Sequence, residues 1–262
     1  MSDDEPVKFS VDEDGIASVV IDRPHSKNAL SIAASEGLVS AWEKIEASPE
    51  IRVAILTSTD CGVFCAGMDL KEAAKIKESE GVDILTKMPD PRLEVMRSVS
   101  KPIIAAMTGS LMAGGMMLAL NCDLRVGLHG TKAGITEVNV GRGSPWSAPA
   151  LWMMPQPVLM EMVLTGSLFP IEKLHEYGFT NYLEETPDKV RDRAYTLAKQ
   201  VIAGAPLSVA AAKASIRAVM NEGLESGMEK AWEVHKGVYA SEDAIEGPRA
   251  FAEKRQPEWK GR

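Results

Sequence analysis

The chain of 262 residues is poor in cysteine, with three, and in histidine, with four. Three thiols build no disulfide framework. Cys61 and Cys65 stand close together, but no Cys or His cluster nearby completes a metal-ligand set. Buried, reduced thiols, no metal and a cytoplasmic setting are expected. His25, His129, His175 and His235 form no HExxH, and no serine sits in a G-x-S-x-G elbow. A Walker A loop and a dinucleotide fingerprint are lacking too. Positive charge is in deficit: 29 Lys and Arg against 37 Asp and Glu give a net charge of −8. Such a balance carries no electrostatic footprint for nucleic acid or an anionic membrane. The opening Met-Ser-Asp-Asp-Glu-Pro is acidic, which argues against a secretory signal or transit peptide.

What the chain does have is one long uncharged run, from Pro102 to Cys122, in a sequence that is 25% charged. Gly109, Gly114, Gly115, Thr108 and Ser110 inside it, and a mean hydropathy of −0.08, argue against a membrane span. Ile103 to Met107 reads as a buried strand, Gly109 breaks it, and Gly114-Gly115 precedes an apolar helix ending near Asn121. Helix N-termini leave backbone N–H groups unpaired, so the turn at Gly114 suits a developing negative charge. A central strand and core helix without a ligand would read the same way.

Around that run the pattern is α/β. Val7 to Val11 and Ile16 to Ile21 read as a hairpin across Asp12-Glu-Asp-Gly15. Ser31 is a candidate N-cap for a helix to Ala47, with Leu38, Ala41, Trp42 and Ile45 on one face. Val53 to Thr57 suits a strand buried on both faces of a parallel sheet. Cys61 to Glu72 reads as a loop that turns into a helix, while residues 71 to 90 are charged and weakly periodic, which predicts an irregular or mobile segment, followed by a helix near Pro91 to Val99. Leu124 to Val126 reads as a strand, and Gly134 to Gly141 as a short strand or strand end. Helices are expected around Leu159 to Thr165, Ile171 to Tyr177, Lys189 to Ala203, Pro206 to Asn221 and Gly223 to Gly237. In the last, Leu224, Met228, Ala231 and Trp232 form an apolar face for an oligomer contact or for the chain's own core.

Several segments together resemble the enoyl-CoA hydratase/isomerase (crotonase) family: Ile21-Asp-Arg-Pro24 with Asn28-Ala-Leu30, Phe64 to Glu72, Lys101 to Asp123, Glu161 to Gly166, and Glu246 to Arg255. They follow the family's order over nearly the whole chain. The resemblance implies a spiral of β-β-α turns over 1–195 carrying an acyl-CoA site. A helical region over 196–262 would build trimers or pairs of trimers. It further implies that the amides of Met68 and Gly114 stabilise a thioester enolate. Coenzyme A would arrive as part of the substrate, with no separate cofactor. Ala66 matches a position beside the adenine and Lys71 one near the CoA phosphates. Phe251 and Lys254 match positions that reach a neighbouring subunit's CoA.

Family hydratases use two glutamates. One matches Glu137; the other falls at Met117, whose thioether exchanges no proton at neutral pH. Some members place an aspartate where this chain has Pro145, and Trp146 stands beside prolines in a region that is glycine-rich in hydratases. Met117 and Trp146 are therefore expected in the acyl pocket, with residues 85 to 99 and 142 to 154 building the rest. A lone base suffices for double-bond isomerisation of an enoyl-CoA, which is favoured over hydration. Burial among Ile135, Val138, Met117 and Trp146 would raise the Glu137 pKa, whereas pairing with Arg142 or Arg125 would leave a structural carboxylate. Hydration of an aryl-conjugated acyl-CoA, with Arg142 helping to place water, and a non-catalytic acyl-CoA-binding homologue are the rivals.

Overall fold

The structure is a computed structural model and describes residues 5–262, so most of the acidic opening stretch lies outside it. Strands β1 (Val7–Val11) and β2 (Ile16–Ile21) pair antiparallel across the expected hairpin. Helix α1 (Ile32–Ala47) follows, with Ser31 Oγ accepting from Ala34 N at 3.1 Å. Replacing Ser31 by Ala is expected to cost about 1 kcal/mol, read as a lower urea midpoint at unchanged slope.

Three successive β-β-α turns then organise the molecule. In the first, β3 (Val53–Ser58) and β4 (Val63–Cys65) lead to α2 (Leu70–Glu80). A short helix α3 (Glu94–Ser98) precedes the second turn, in which β5 (Ile103–Ala106) and β6 (Ser110–Met112) lead to α4 (Gly114–Asn121). In the third, β7 (Leu124–Leu128) and β8 (Lys132–Gly134) lead to a 3₁₀ turn over Glu137–Val140. The rest is helical apart from β9 (Phe169–Pro170) and β10 (Tyr182–Glu184). Its helices are α5 (Gln156–Thr165), α6 (Ile171–Glu176), α7 (Pro187–Ile202), α8 (Pro206–Glu222), α9 (Leu224–Tyr239) and α10 (Glu242–Glu253).

Each turn contributes its first strand to one sheet and its second to another. The larger sheet runs β1-β2-β3-β5-β7-β10, parallel except for the hairpin; the smaller runs β4-β6-β8-β9. Central β3 is buried at every residue. One face packs against α1 and α4 around Trp42, Leu56, Phe64 and Met116. The other is covered by α7 through Val190, Ala194, Leu197 and Ala198. That helix runs through residue 195 without a break.

Five local expectations are corrected. Residues 71 to 90 are not irregular throughout: Leu70–Glu80 is a helix, because Asp69 Oδ1 accepts from Lys71 N and Glu72 N and Gly81 closes it left-handed. Only Ile76 of that helix is buried, which left no apolar stripe to read. The helix before the second turn is shorter than Pro91 to Val99. The strand near Gly134 ends there, and Glu137 stands on the 3₁₀ turn. Cys61 is exposed, whereas Cys65 and Cys122 are buried, which pushes both thiols up to about 12. Alkylation at neutral pH is expected to modify Cys61 first and the other two only on unfolding, as peptide mapping would show. Along α9, Ala231 is buried, but Leu224, Met228 and Trp232 are exposed, so that face does not complete this chain's own core.

Candidate active site

Parallel strands open their loops at one edge, and the small sheet brings three such loops together. Neighbours β4, β6 and β8 are in parallel register, Cys65 beside Leu111 and Met112 beside Gly134. Just past their C-terminal ends stand Met68, Gly114 and Glu137. All three line one cavity of about 780 Å³.

The two amides are aimed by the backbone. Leu30 and Met68 form a single parallel bridge in which Leu30 N donates to Gly67 O at 2.7 Å and Asp69 N donates to Leu30 O at 2.9 Å. Both bonds use Leu30, so the Met68 N–H faces the opposite way. Gly114 begins α4, where its N–H has no intrahelical acceptor. Neither N–H donates to a protein acceptor among the described residues. The approach is close because Gly67 has no side chain: a Cβ there would stand 3.0 Å from Gly114 N and 2.7 Å from Ala113 Cβ. Ala113 itself holds φ 50° and ψ −119°, a glycine-favoured conformation costing about 1–3 kcal/mol. The helix start is thus turned into the cavity at a cost to stability.

Glu137 is 9% exposed, and its Oε2 is buried without a hydrogen-bond partner. Burial pushes its pKa up; backbone N–H groups and the Trp146 indole pull less strongly downwards. The pairings considered from sequence do not occur. Arg142 donates to Asp83 Oδ1 at 2.6 Å. Arg125 is buried on the carbonyls of Phe179, Ala119 and Cys122, closing α4. Val138 is 47% exposed and lies outside the pocket, while Met117 and Trp146 line it.

Ala66 also lines the cavity, next to the Met68 loop. Lys71 is exposed at the start of α2 and does not. Phe251, 87% exposed, and Lys254, at the left-handed end of α10, stand outside the cavity of their own chain. Asp90 lines the cavity within the stretch 85 to 99 expected to build it, but its capping part was not anticipated. Its oxygens accept from Glu94 N and Val95 N, both at 2.8 Å, so this acid caps α3. The signal was present as an Asp shortly before a helix start. Among the described residues, no group of three or more His, Cys, Asp or Glu could hold a metal ion. No single helix there is long and apolar enough to cross a membrane; α7 and α8 pass that test only as a pair bent by 109°.

Known proteins resemble this chain over its whole length. The family model for enoyl-CoA hydratase/isomerase matches residues 12–262. An (E)-benzylidenesuccinyl-CoA hydratase of Thauera aromatica is 34% identical, the match covering 98% of this chain and 99% of the relative. A carnitinyl-CoA dehydratase of Proteus mirabilis is 33% identical over 94% of this chain and 95% of that protein. Among solved structures, an enoyl-CoA hydratase from Mycobacterium tuberculosis superposes with a TM-score of 0.86 at 36% identity, covering 98% of this chain and 100% of that one. One from Bacillus anthracis reaches a TM-score of 0.91 at 26% identity with the same coverage. With its spiral of β-β-α turns and a helical C-terminal region, the chain belongs to the enoyl-CoA hydratase/isomerase family of acyl-CoA enzymes.

Proposed function

We propose that this enzyme moves a double bond along an enoyl-CoA, with Glu137 as its single acid/base. The observation that carries the reading is the unpartnered, buried Oε2 of Glu137 in the cavity that the Met68 and Gly114 amides also line. The other carboxylate lining that cavity, Asp90, has both oxygens committed to backbone N–H groups. With the thioester oxygen accepting from the amides of Met68 and Gly114, the Glu137 carboxylate takes a proton from the α carbon. Negative charge then develops on the oxygen as a dienolate. The protonated Glu137 returns the proton at the γ carbon, and the C=C bond moves one position towards the thioester. Fixed donors in a cavity shielded from water stabilise that charge more than water does. A carboxyl raised by burial is a better-matched proton shuttle than an exposed one.

Hydration is the second reading, favoured by two relatives whose names are hydratase and dehydratase. Incubation with 3-enoyl-CoA and with 2-enoyl-CoA in ¹⁸O-labelled water separates them. Migration without label supports isomerisation; label at the β carbon replaces it with hydration. The proposed enzyme needs no cofactor beyond the substrate's CoA and works in the cytoplasm. Its assembly is a trimer or pair of trimers built through α8–α10. The apolar side chains exposed there, Ile216, Leu224, Trp232 and Ile245, support that assembly. Within it, Lys71 and a neighbour's Phe251 and Lys254 would meet the CoA moiety.

A further inference from the structure

The turn that carries Glu137 also carries a charge able to disable it. Arg142 N donates to Glu137 O at 3.0 Å, and Gly141 between them holds φ 67°. The two residues thus leave one tight turn, and both line the cavity. A guanidinium beside a carboxylate favours its ionised form and lowers its pKa by about 1–3, which weakens it as a base. That pairing does not form. Arg142 Nη2 donates instead to Asp83 Oδ1 at 2.6 Å. Asp83 is itself fixed, because the same oxygen accepts from Leu85 N at 2.9 Å where a 3₁₀ turn begins at buried Ile84. The Arg142 hydrogen bond is the largest of the influences holding the Asp83 carboxyl below the usual carboxylate range. Other charges do not take its place at Glu137. Asp90, Arg92 and Arg97 line the cavity, and α5, which packs on the Glu137 turn, brings Glu161 alone. Helix α4 and the segment Pro145–Trp152 bring no charge. Burial, backbone N–H groups and the Trp146 indole set the Glu137 pKa, and no charged group is among its causes.

We infer that Asp83 is a positioning residue: it holds the Arg142 guanidinium off the Glu137 carboxyl and so keeps that acid unpaired. Its bearing on the reaction rests on Glu137 being the acid/base. The physical basis is a choice between two acceptors. Asp83 is about half exposed, so an ion pair there needs little desolvation, whereas pairing with Glu137 draws both charges into the cavity. Without the Asp83 charge the choice reverses. Asp90 spends both oxygens on α3, which leaves the free Oε2 of Glu137 as the acceptor in the cavity.

The substitution that isolates the effect is Asp83→Asn, because the amide oxygen still accepts from Leu85 N while the charge is lost. Two readouts follow it in the whole protein. One is the ¹³C NMR titration of the Glu137 carboxyl, assigned by its loss in Glu137→Gln; the other is the pH–rate profile on a 3-enoyl-CoA. Asp83→Asn should move the titration to lower pH by about one unit or more. The rise of activity should move with it, to a lower plateau, as a weaker base requires. In an Arg142→Gln background the same substitution should move neither. An equal shift with and without Arg142 would trace the effect to the Asp83 charge itself and overturn the inference. A titration that Asp83→Asn leaves in place would overturn it too. A titration that moves only when Arg142 is present, with a rate profile that does not follow, would support the held guanidinium and instead remove Glu137 from the chemistry.

Discussion

Glu137→Gln is expected to lower kcat on a 3-enoyl-CoA by about 10²–10⁴-fold while thioester affinity changes little, because a positioned acid/base contributes on that scale. The substitution keeps the shape of the side chain and removes only its ability to exchange a proton. Its effect on stability should have the opposite sign. Burial raises the Glu137 pKa above its unfolded value. Between the two values the native state holds more protons than the unfolded one, so stability falls as pH rises through that window. Below the unfolded pKa the group is protonated in both states and costs nothing. Glu137→Gln should therefore melt higher than wild type at neutral pH, and the gain should vanish in acid. Activity limited by the base form should rise with pH through the same window. Thermal melts and a pH–rate profile check both signs. An equal gain at every pH would mean that ionisation of Glu137 is not its source.

Gly67→Ala should lower the rate by about 10²–10³-fold, the usual effect of losing one oxyanion donor. The reason is geometric. Gly67 has φ +89°, where a side chain is strained, and the added Cβ would meet Ala113 Cβ at 2.7 Å and Gly114 N at 3.0 Å. The new methyl group would cover one amide and push the loops after β4 and β6 apart. Since the neighbouring backbone must shift, a stability loss of about 1–3 kcal/mol should accompany the rate loss. Comparing kcat with substrate affinity tells whether the donor or the pocket was lost. A fall in kcat with affinity kept is the expected pattern.

Part of the candidate site was legible before any coordinates, from local turn signals and from the family resemblance. Gly114 read as a turn glycine because it stands in front of an apolar run, and the backbone needs it there. Glu137 was picked out by its match to one of the two glutamates of family hydratases. What did not read through was contact at long range. Asp90 as the cap of α3, Arg142 on Asp83 and Arg125 on the carbonyls at the end of α4 all depend on how loops fold back. The length of helix α2 was missed because its stability comes from the Asp69 cap and solvated charges, with one buried residue to mark it. The exposed face of Leu224, Met228 and Trp232 has the same pattern in sequence as a core face. Periodicity alone does not say what covers an apolar stripe.

The central claim is that Glu137 moves a proton on the carbon next to a thioester whose oxygen the Met68 and Gly114 amides hold. Its most direct test is deuterium exchange at the α carbon of a bound acyl-CoA in D₂O, followed by NMR. Wild-type enzyme should exchange that proton, and Glu137→Gln should bind the same thioester with exchange reduced at least about a hundredfold. Equal exchange by the two proteins would contradict the account.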